Sequence, residues 1–457
     1  MEFVSLNREI EIGANSYLIE VDGRRIVLDC GMHPKRRGHA AMPDYSLVSS
    51  GPLDAIVVTH AHQDHIGTLP VLTRDQQGTP VFMTDVTQRI GEIMLHNSVN
   101  VMTRQREDEG VMDYPLFTHR GVEFSREMWR PVPVRKVFTL EGDKGEGNGT
   151  EPTLEFYHAG HILGSVGVML RGEGRSVFYT GDVNFDRQTL MAPADFPTEG
   201  VDVLVMEATR GDSPQRPEWT RADEEERLET AIRAAFERGG SVTIPVFALG
   251  KTQEILTMLW EMRRRLSRDV IPIYIGGLST KITTAYDAFA HSPDRTRPQL
   301  QLLNEVAPYV LSGNEVHTFS PRRNCIFALS SGMMTEHTLS NYWVRKILPD
   351  ANQSLFFVGY SDPESPAGKV RAAKPGDLVE LDPELPPVEL RCHIEEFNFS
   401  AHASRESLLD YAVRLRPRKI LLVHGDPPAV AWFERELSAR LPETDVIIPH
   451  PGRPVPI

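Results

Sequence analysis

Short apolar runs that stop at a small or acidic residue recur along the chain, and their length and β-branched content predict strands. Ser16–Val21 and Arg25–Asp29 flank Asp22-Gly23, the signature of a β-hairpin with a tight turn. Ala55–Val58 predicts a short buried strand. Phe156–His158, Val166–Leu170 and Ser176–Thr180 predict three more, each closing on a small-residue turn. From Val203–Thr209 onward the pattern changes. Apolar runs at Ser241–Val246, Ile271–Ile275, Cys325–Leu329 and Leu355–Tyr360 alternate with helical stretches at Arg221–Arg238, Lys251 onward and Thr283–Ala290, which implies a parallel α/β sheet with its active edge at the strand C-termini. The chain closes with Phe397–Ser404, a helix through Leu415, and strands at Arg418–Val423 and Asp445–Ile448. Between the first strands, Val86, Ile90, Ile93, Met94 and Val101 keep helical spacing, Tyr114–Phe124 reads as irregular, and 141–150 reads as a glycine-rich loop.

Composition narrows the class without choosing the chemistry. A chain of 457 residues that is 40% hydrophobic and 25% charged has ample material for about three domains, or equally for two large ones. Its net charge of −14 argues against a protein that coats nucleic acid through bulk electrostatics. A nucleic-acid enzyme stays open, because the field that holds one phosphodiester is local. Cys30, Cys325 and Cys392 are too scattered for a disulfide framework or a zinc finger. Without a bilayer-length apolar run or a signal-type N-terminus, the expectation is a cytoplasmic protein that does not enter membranes.

The chemistry concentrates in Val57-Val58-Thr59-His60-Ala61-His62-Gln63-Asp64-His65. Residues two apart in an extended loop point the same way, so His60 and His62 can reach one ion while Asp64 and His65 face a second. Imidazole with carboxylate suits zinc, and incomplete ligand sets leave room for water, as hydrolysis requires. His161 and Asp182 also stand at strand ends, as do Glu207 and His424; His402 reads equally well as a solvated helix start. Asp29, where a strand ends, fits an Asx turn. Gly250-Lys251-Thr252 is not a phosphate loop, since the first glycine of that motif would fall on Pro245.

The His60–His65 cluster resembles the metallo-β-lactamase superfamily. Ile244–Gly250, Ser331–Met334 and Phe399–His402 make the chain similar to its β-CASP nuclease group, which includes the nuclease subunit of the cleavage and polyadenylation specificity factor and bacterial β-CASP ribonucleases. The opening Glu11–Ser16 is closer to RNase J. The resemblance implies an α/β protein: a metallo-β-lactamase αββα sandwich from 1–207 and 396–457, with an inserted α/β β-CASP domain at 208–395 as a lid, and RNA entering a cleft between them. It implies two zinc ions, or other divalent metals. One would be held by His60, His62 and His161, the other by Asp64, His65 and His424, with Asp182 bridging and Asp29 supporting the loops without binding metal.

In the same group Glu207 and His402 pair as catalytic residues, and Asp64 serves catalysis through its metal. His402, Ser400 and Ser331 are candidate phosphate contacts, and Lys251, Lys281, Arg322 and Lys369 candidates to track the RNA backbone. A histidine at 424 points to RNA rather than DNA. The implied activity is zinc-dependent RNA hydrolysis, endonucleolytic ahead of 5′ exonucleolytic, with self-association left open. The rival readings are an inert RNA-binding scaffold and, behind it, a thioesterase or lactonase. Erosion into a scaffold removes ligands, and here all seven positions are filled.

Overall fold

The computed structural model describes residues 1–141, 151–216, 218–266 and 271–457, so the loop expected at 141–150 lies, except for Glu141, outside the described residues. The chain divides into two compact units. The first comprises Met1–Arg187, Ala192–Gln215 and His402–Ile457; the second comprises Gln188–Met191 and Arg216–Ala401.

Two seven-stranded sheets build the first unit. One runs, edge to edge, Val455–Pro456, Glu2–Ser5, Tyr17–Val21, Arg24–Leu28, Ala55–Val57, Val81–Met83 and Trp129–Pro131. The other runs Asp445–Ile447, Lys419–Val423, Val203–Glu207, Arg175–Tyr179, Val166–Gly172, Thr153–His158 and Val137–Thr139. Strand alternation sends Phe3, Ile19, Ile26 and Val57 of the first sheet into one core with Phe156, Val168, Val177 and Leu421 of the second. The opposite faces are covered by helices: Val27 and Ile56 pack with Leu69, Leu95 and Val99, and Leu204 and Leu422 pack with Leu408, Phe433 and Leu437. Helix, sheet, sheet, helix is the layering that two half-apolar sheets require. The opening hairpin pairs Val21 with Arg24, and Asp22 and Gly23 take the positive φ angles, 51° and 72°, of a two-residue hairpin turn.

In the second unit a six-stranded sheet orders Tyr309–Leu311, Ile273–Gly276, Ile326–Leu329, Val242–Pro245, Ser354–Phe357 and His393–Glu396, every pair parallel. One helix there, Leu278–Ala288, starts earlier than the expected Thr283, because Gly277 at φ 64° turns the chain straight from strand into helix. Local contacts explain where the units divide. Ala208 stays with the first unit, donating its N–H to the His424 carbonyl, and Gly211 backs onto Ala429 so closely that a Cβ would lie 2.2 Å from its oxygen. Phe397–Phe399 stays with the second: Asn398 N–H donates to Glu224 at 2.6 Å, and Arg227 and Arg221 lie over the Phe397 and Phe399 rings.

The segment read as irregular contains a helix, His119–Arg126, capped by the Thr118 side chain on Gly121 N–H. Only Val122 and Ser125 of it are buried, too few apolar positions to show a period. No helix among the described residues is long and apolar enough to cross a membrane.

Candidate metal centre

Seven of the residues singled out in the sequence converge within the first unit. Lys419–Val423, Val203–Glu207 and Arg175–Tyr179 are parallel neighbours, so their C-terminal ends align and deliver His424, Glu207 and Asp182 side by side. The strand Ala55–Val57 of the other sheet delivers His60 and His62, and the short turn Gln63–Ile66 carries Asp64 and His65. Two neighbouring donor sets result, His60, His62, His161 and Asp182 in one and Asp64, His65 and His424 in the other, each with ligand atoms within 4.8 Å of one another.

Asp182 stands between them. Its Oδ2 lies 3.4 Å from His60 Nε2 and 3.5 Å from His161 Nε2, and its Oδ1 lies 3.3 Å from both His65 Nε2 and His424 Nδ1. His62 Nδ1 is 3.2 Å from His60 Nε2 and 3.0 Å from His161 Nε2. Nitrogens about 2.0–2.1 Å from one tetrahedral zinc would lie about 3.3–3.4 Å apart, close to this spacing.

The electrostatics agree with that use. Burial first, then neighbouring imidazoles, pushes His60 and His161 below the usual histidine range and His62 down to about 3, which leaves the neutral rings that ligation needs. Burial would raise Asp182 and Asp64; surrounding histidines, His424 and His65 foremost for Asp182 and His65 for Asp64, override it and hold both ionised. For His65 burial acts downward and Asp182, Asp29 and Asp64 overcome it. Asp182 Oδ1 is buried and accepts no hydrogen bond. A buried acceptor without a hydrogen bond, facing two imidazole nitrogens, fits a cation. The donor chemistry therefore fits a metal site of the zinc class.

The supporting residues were only partly visible in sequence. Asp29 Oδ2 accepts from His65 Nδ1 at 2.8 Å and from Tyr179 OH at 2.8 Å, while Oδ1 takes the Thr59 N–H at 2.8 Å. It thus orients His65 with no ligand of its own. Thr59, Tyr179 and Asn15, whose amide nitrogen lies 3.2 Å from His65 Nε2, escaped sequence reasoning; Thr59 adjoins His60 and Asn15 lies in the Glu11–Ser16 opening, the only signals available. Gly31 belongs to the same cradle, since a Cβ there would lie 1.9 Å from the Asp64 carbonyl oxygen.

A third group joins Asp182 to Glu207 and His402. His402 Nδ1 faces Glu207 Oε2 at 3.1 Å and Oε1 at 3.3 Å; its Nε2 lies 4.0 Å from Asp182. Glu207 is itself fixed by the Val183 N–H at 2.7 Å. Partial burial lowers His402, and Glu207, Asp182 and Asp64 more than reverse that, raising it to about 9. Cations beside Asp182 and Asp64 would offset their share and leave Glu207 to hold the proton.

The phosphate candidates Ser331 and Ser400 sit in the second unit, where Ser331 Oγ accepts from Thr335 N–H. Among the lysines and arginines expected to track a backbone, Lys281 is exposed, Lys369 pairs with Glu380 at 3.0 Å, and Arg322 lies over Phe319. Lys251 is a correction. It is buried and donates to the Phe399 carbonyl, so it anchors the chain ahead of residue 400 and is not free to follow RNA. Burial, then Arg221, lowers its amine from 10.5 to about 8 against the pull of Glu254. Between those values the unfolded chain holds the extra proton, so this contribution to stability is full above pH 10.5 and lost as pH falls through about 8. Denaturant unfolding across that range should show the wild type gaining up to about 3 kcal/mol over Lys251→Met.

A buried histidine and aspartate cluster at the ends of sandwiched sheets is the arrangement of a metal site. The metallo-beta-lactamase superfamily model matches residues 11–235, the Beta-Casp domain 252–370, and the Zn-dependent metallo-hydrolase RNA specificity domain 387–449. The chain belongs to the metallo-β-lactamase superfamily and carries β-CASP and RNA specificity domains. It is 28% identical over 98% of its length to cleavage and polyadenylation specificity factor subunit 3 of Dictyostelium discoideum, covering 56% of that protein. It is 27% identical over 93% of its length to endoribonuclease YSH1 of Eremothecium gossypii, covering 55% of it. The chain therefore spans about half the length of these relatives. A crystal structure of a protein of unknown function from Enterococcus faecalis V583 shares the fold at TM-score 0.54 and 14% identity, covering 99% of both chains.

Proposed function

We propose that this protein is a ribonuclease that hydrolyses RNA phosphodiester bonds with two zinc-class ions, cutting internally ahead of trimming from a 5′ end. One ion would be held by His60, His62 and His161, the other by Asp64, His65 and His424, with Asp182 shared. When bound, they supply an acidified water at neutral pH and neutralise charge developing on the phosphate.

The observation that carries the reading is the His402–Glu207 pair. A hydrolytic centre that only acidifies water has no need of an imidazole fixed beside the ligands and outside both donor sets. Glu207 accepts the Nδ1 proton and leaves Nε2 toward Asp182, where an imidazolium can give its proton to the departing ribose oxygen. Without that proton an alkoxide is a poor leaving group. The remaining residues position the ligands: Asp29 holds the His65 ring, and Thr59 Oγ1, 3.0 Å from His60 Nδ1, holds the His60 ring. The matched RNA specificity domain spans both His402 and His424 and supports RNA as the substrate.

End-labelled single-stranded RNA of defined 5′ group tests the proposal. Internal cuts abolished by a chelator are expected, with matched DNA cut about tenfold more slowly or worse. Equal turnover of DNA, or cleavage that survives complete metal removal, would sink it.

A further inference from the structure

The helices Asp85–Asp108 and His119–Arg126 face each other with two carboxylate–imidazole pairs that the metal centre does not use. Glu92 and His96 are one turn apart on the first helix, as are His119 and Glu123 on the second, so each pair shares a helix face. The fold brings the pairs together. His96 Nε2 lies 3.0 Å from Glu123 Oε1, and ligand atoms of Glu92, His96 and Glu123 all lie within 4.8 Å of one another. On its other side, His96 Nδ1 lies 2.8 Å from His119 Nδ1, the two rings stacked with centroids 5.1 Å apart.

We propose that Glu92, His96 and Glu123 form a further divalent-cation site, outside the catalytic cluster, that clamps the two helices together. The two nitrogens of His96 then act separately, Nε2 turning to the two carboxylates while Nδ1–H donates to His119. A ligating histidine normally gives its other N–H to an acceptor, which fixes the tautomer and makes the ligand more basic. One imidazole with two carboxylates is a donor set for zinc or manganese, and three ligands leave positions for water. Glu92 and His96 are half-buried and Glu123 is 54% exposed, so an ion can enter from solvent.

The carboxylates are not bare. Arg126 lies 3.4 Å from Glu92 Oε1 and 3.6 Å from Glu123 Oε2, and Arg89 lies 3.4 Å from Glu92 Oε2. A guanidinium thus stands where the cation would act, and binding displaces it. The site should accordingly be weaker than the catalytic one and tighten when Arg126 is removed.

Zinc alone, titrated into the full chain after chelation and followed by elemental analysis, tests this. Wild type should take up one more equivalent than E123Q or H96A. H119A should keep that equivalent with about 10–100-fold weaker affinity. R126A should bind it more tightly, an effect opposite in sign to that of a damaged fold. RNA cleavage should be the same in all four variants and wild type. The comparison is made between proteins, so it reads out whatever number of ions the catalytic centre holds. Equal zinc uptake at equal affinity in wild type, E123Q and H96A overturns the proposal.

Discussion

His402→Ala is expected to keep its full metal content and bind RNA within a few-fold of wild type, yet lose about two to four powers of ten in turnover. The ring belongs to neither ligand set, so truncating it leaves the imidazoles and carboxylates around the metals in place. Its removal takes away the one positioned proton on the side of Glu207. Glu207→Gln should lose less: an amide can still orient Nδ1, but it no longer stabilises the imidazolium. A substrate whose leaving oxygen is replaced by sulfur separates proton donation from phosphate binding, since a thiolate departs without a proton. On that substrate His402→Ala should recover most of its loss. If it remains as defective as on natural RNA, His402 binds phosphate and is not the acid.

Asp182→Asn should empty the centre, with metal content falling well below wild type and RNA turnover falling by roughly three or more powers of ten. The substitution keeps the size of the side chain, so the loss would not come from a cavity. Each oxygen of Asp182 faces two imidazoles from a different donor set. Replacing one oxygen with an amide NH2 removes the negative charge and puts a group that cannot bind a cation where a ligand oxygen stood. In chelator the variant should also be less stable, because His65 loses a buried counter-charge, a type of loss that costs about 3–5 kcal/mol. Elemental analysis, RNA turnover and melting in chelator check the three parts, and a variant with wild-type metal content and rate would refute the bridging role.

The sequence by itself determined much of this protein because the signals concerned are local. Three histidines and an aspartate within six residues after a buried strand name a metal loop without further help, and a strand ending in Asp182 or His424 follows from apolar runs that stop at one residue. The αββα layering was implied only by the resemblance of these motifs to a known family, since strand alternation records which face of a strand is buried and not what packs on it. Even the alternating strands and helices of the insert announced a parallel sheet before any pairing was known.

What the tertiary structure alone decided depends on pairings between distant segments. Parallel register among Arg175–Tyr179, Val203–Glu207 and Lys419–Val423 sets Asp182, Glu207 and His424 at one sheet end, although they are far apart in the chain. No local pattern states that register. Lys251 looked like a surface cation because a lysine after a glycine turn usually is one, and only packing shows its amine buried on the Phe399 carbonyl. Nothing local marks His96 or His119 as partners, and the second lies in a helix too short and too polar to show a period; their 2.8 Å approach exists because two helices meet there. A side chain's type fixes what it can bind. The fold decides what it meets, because the free energy that brings such groups together comes from cores that the groups themselves do not join.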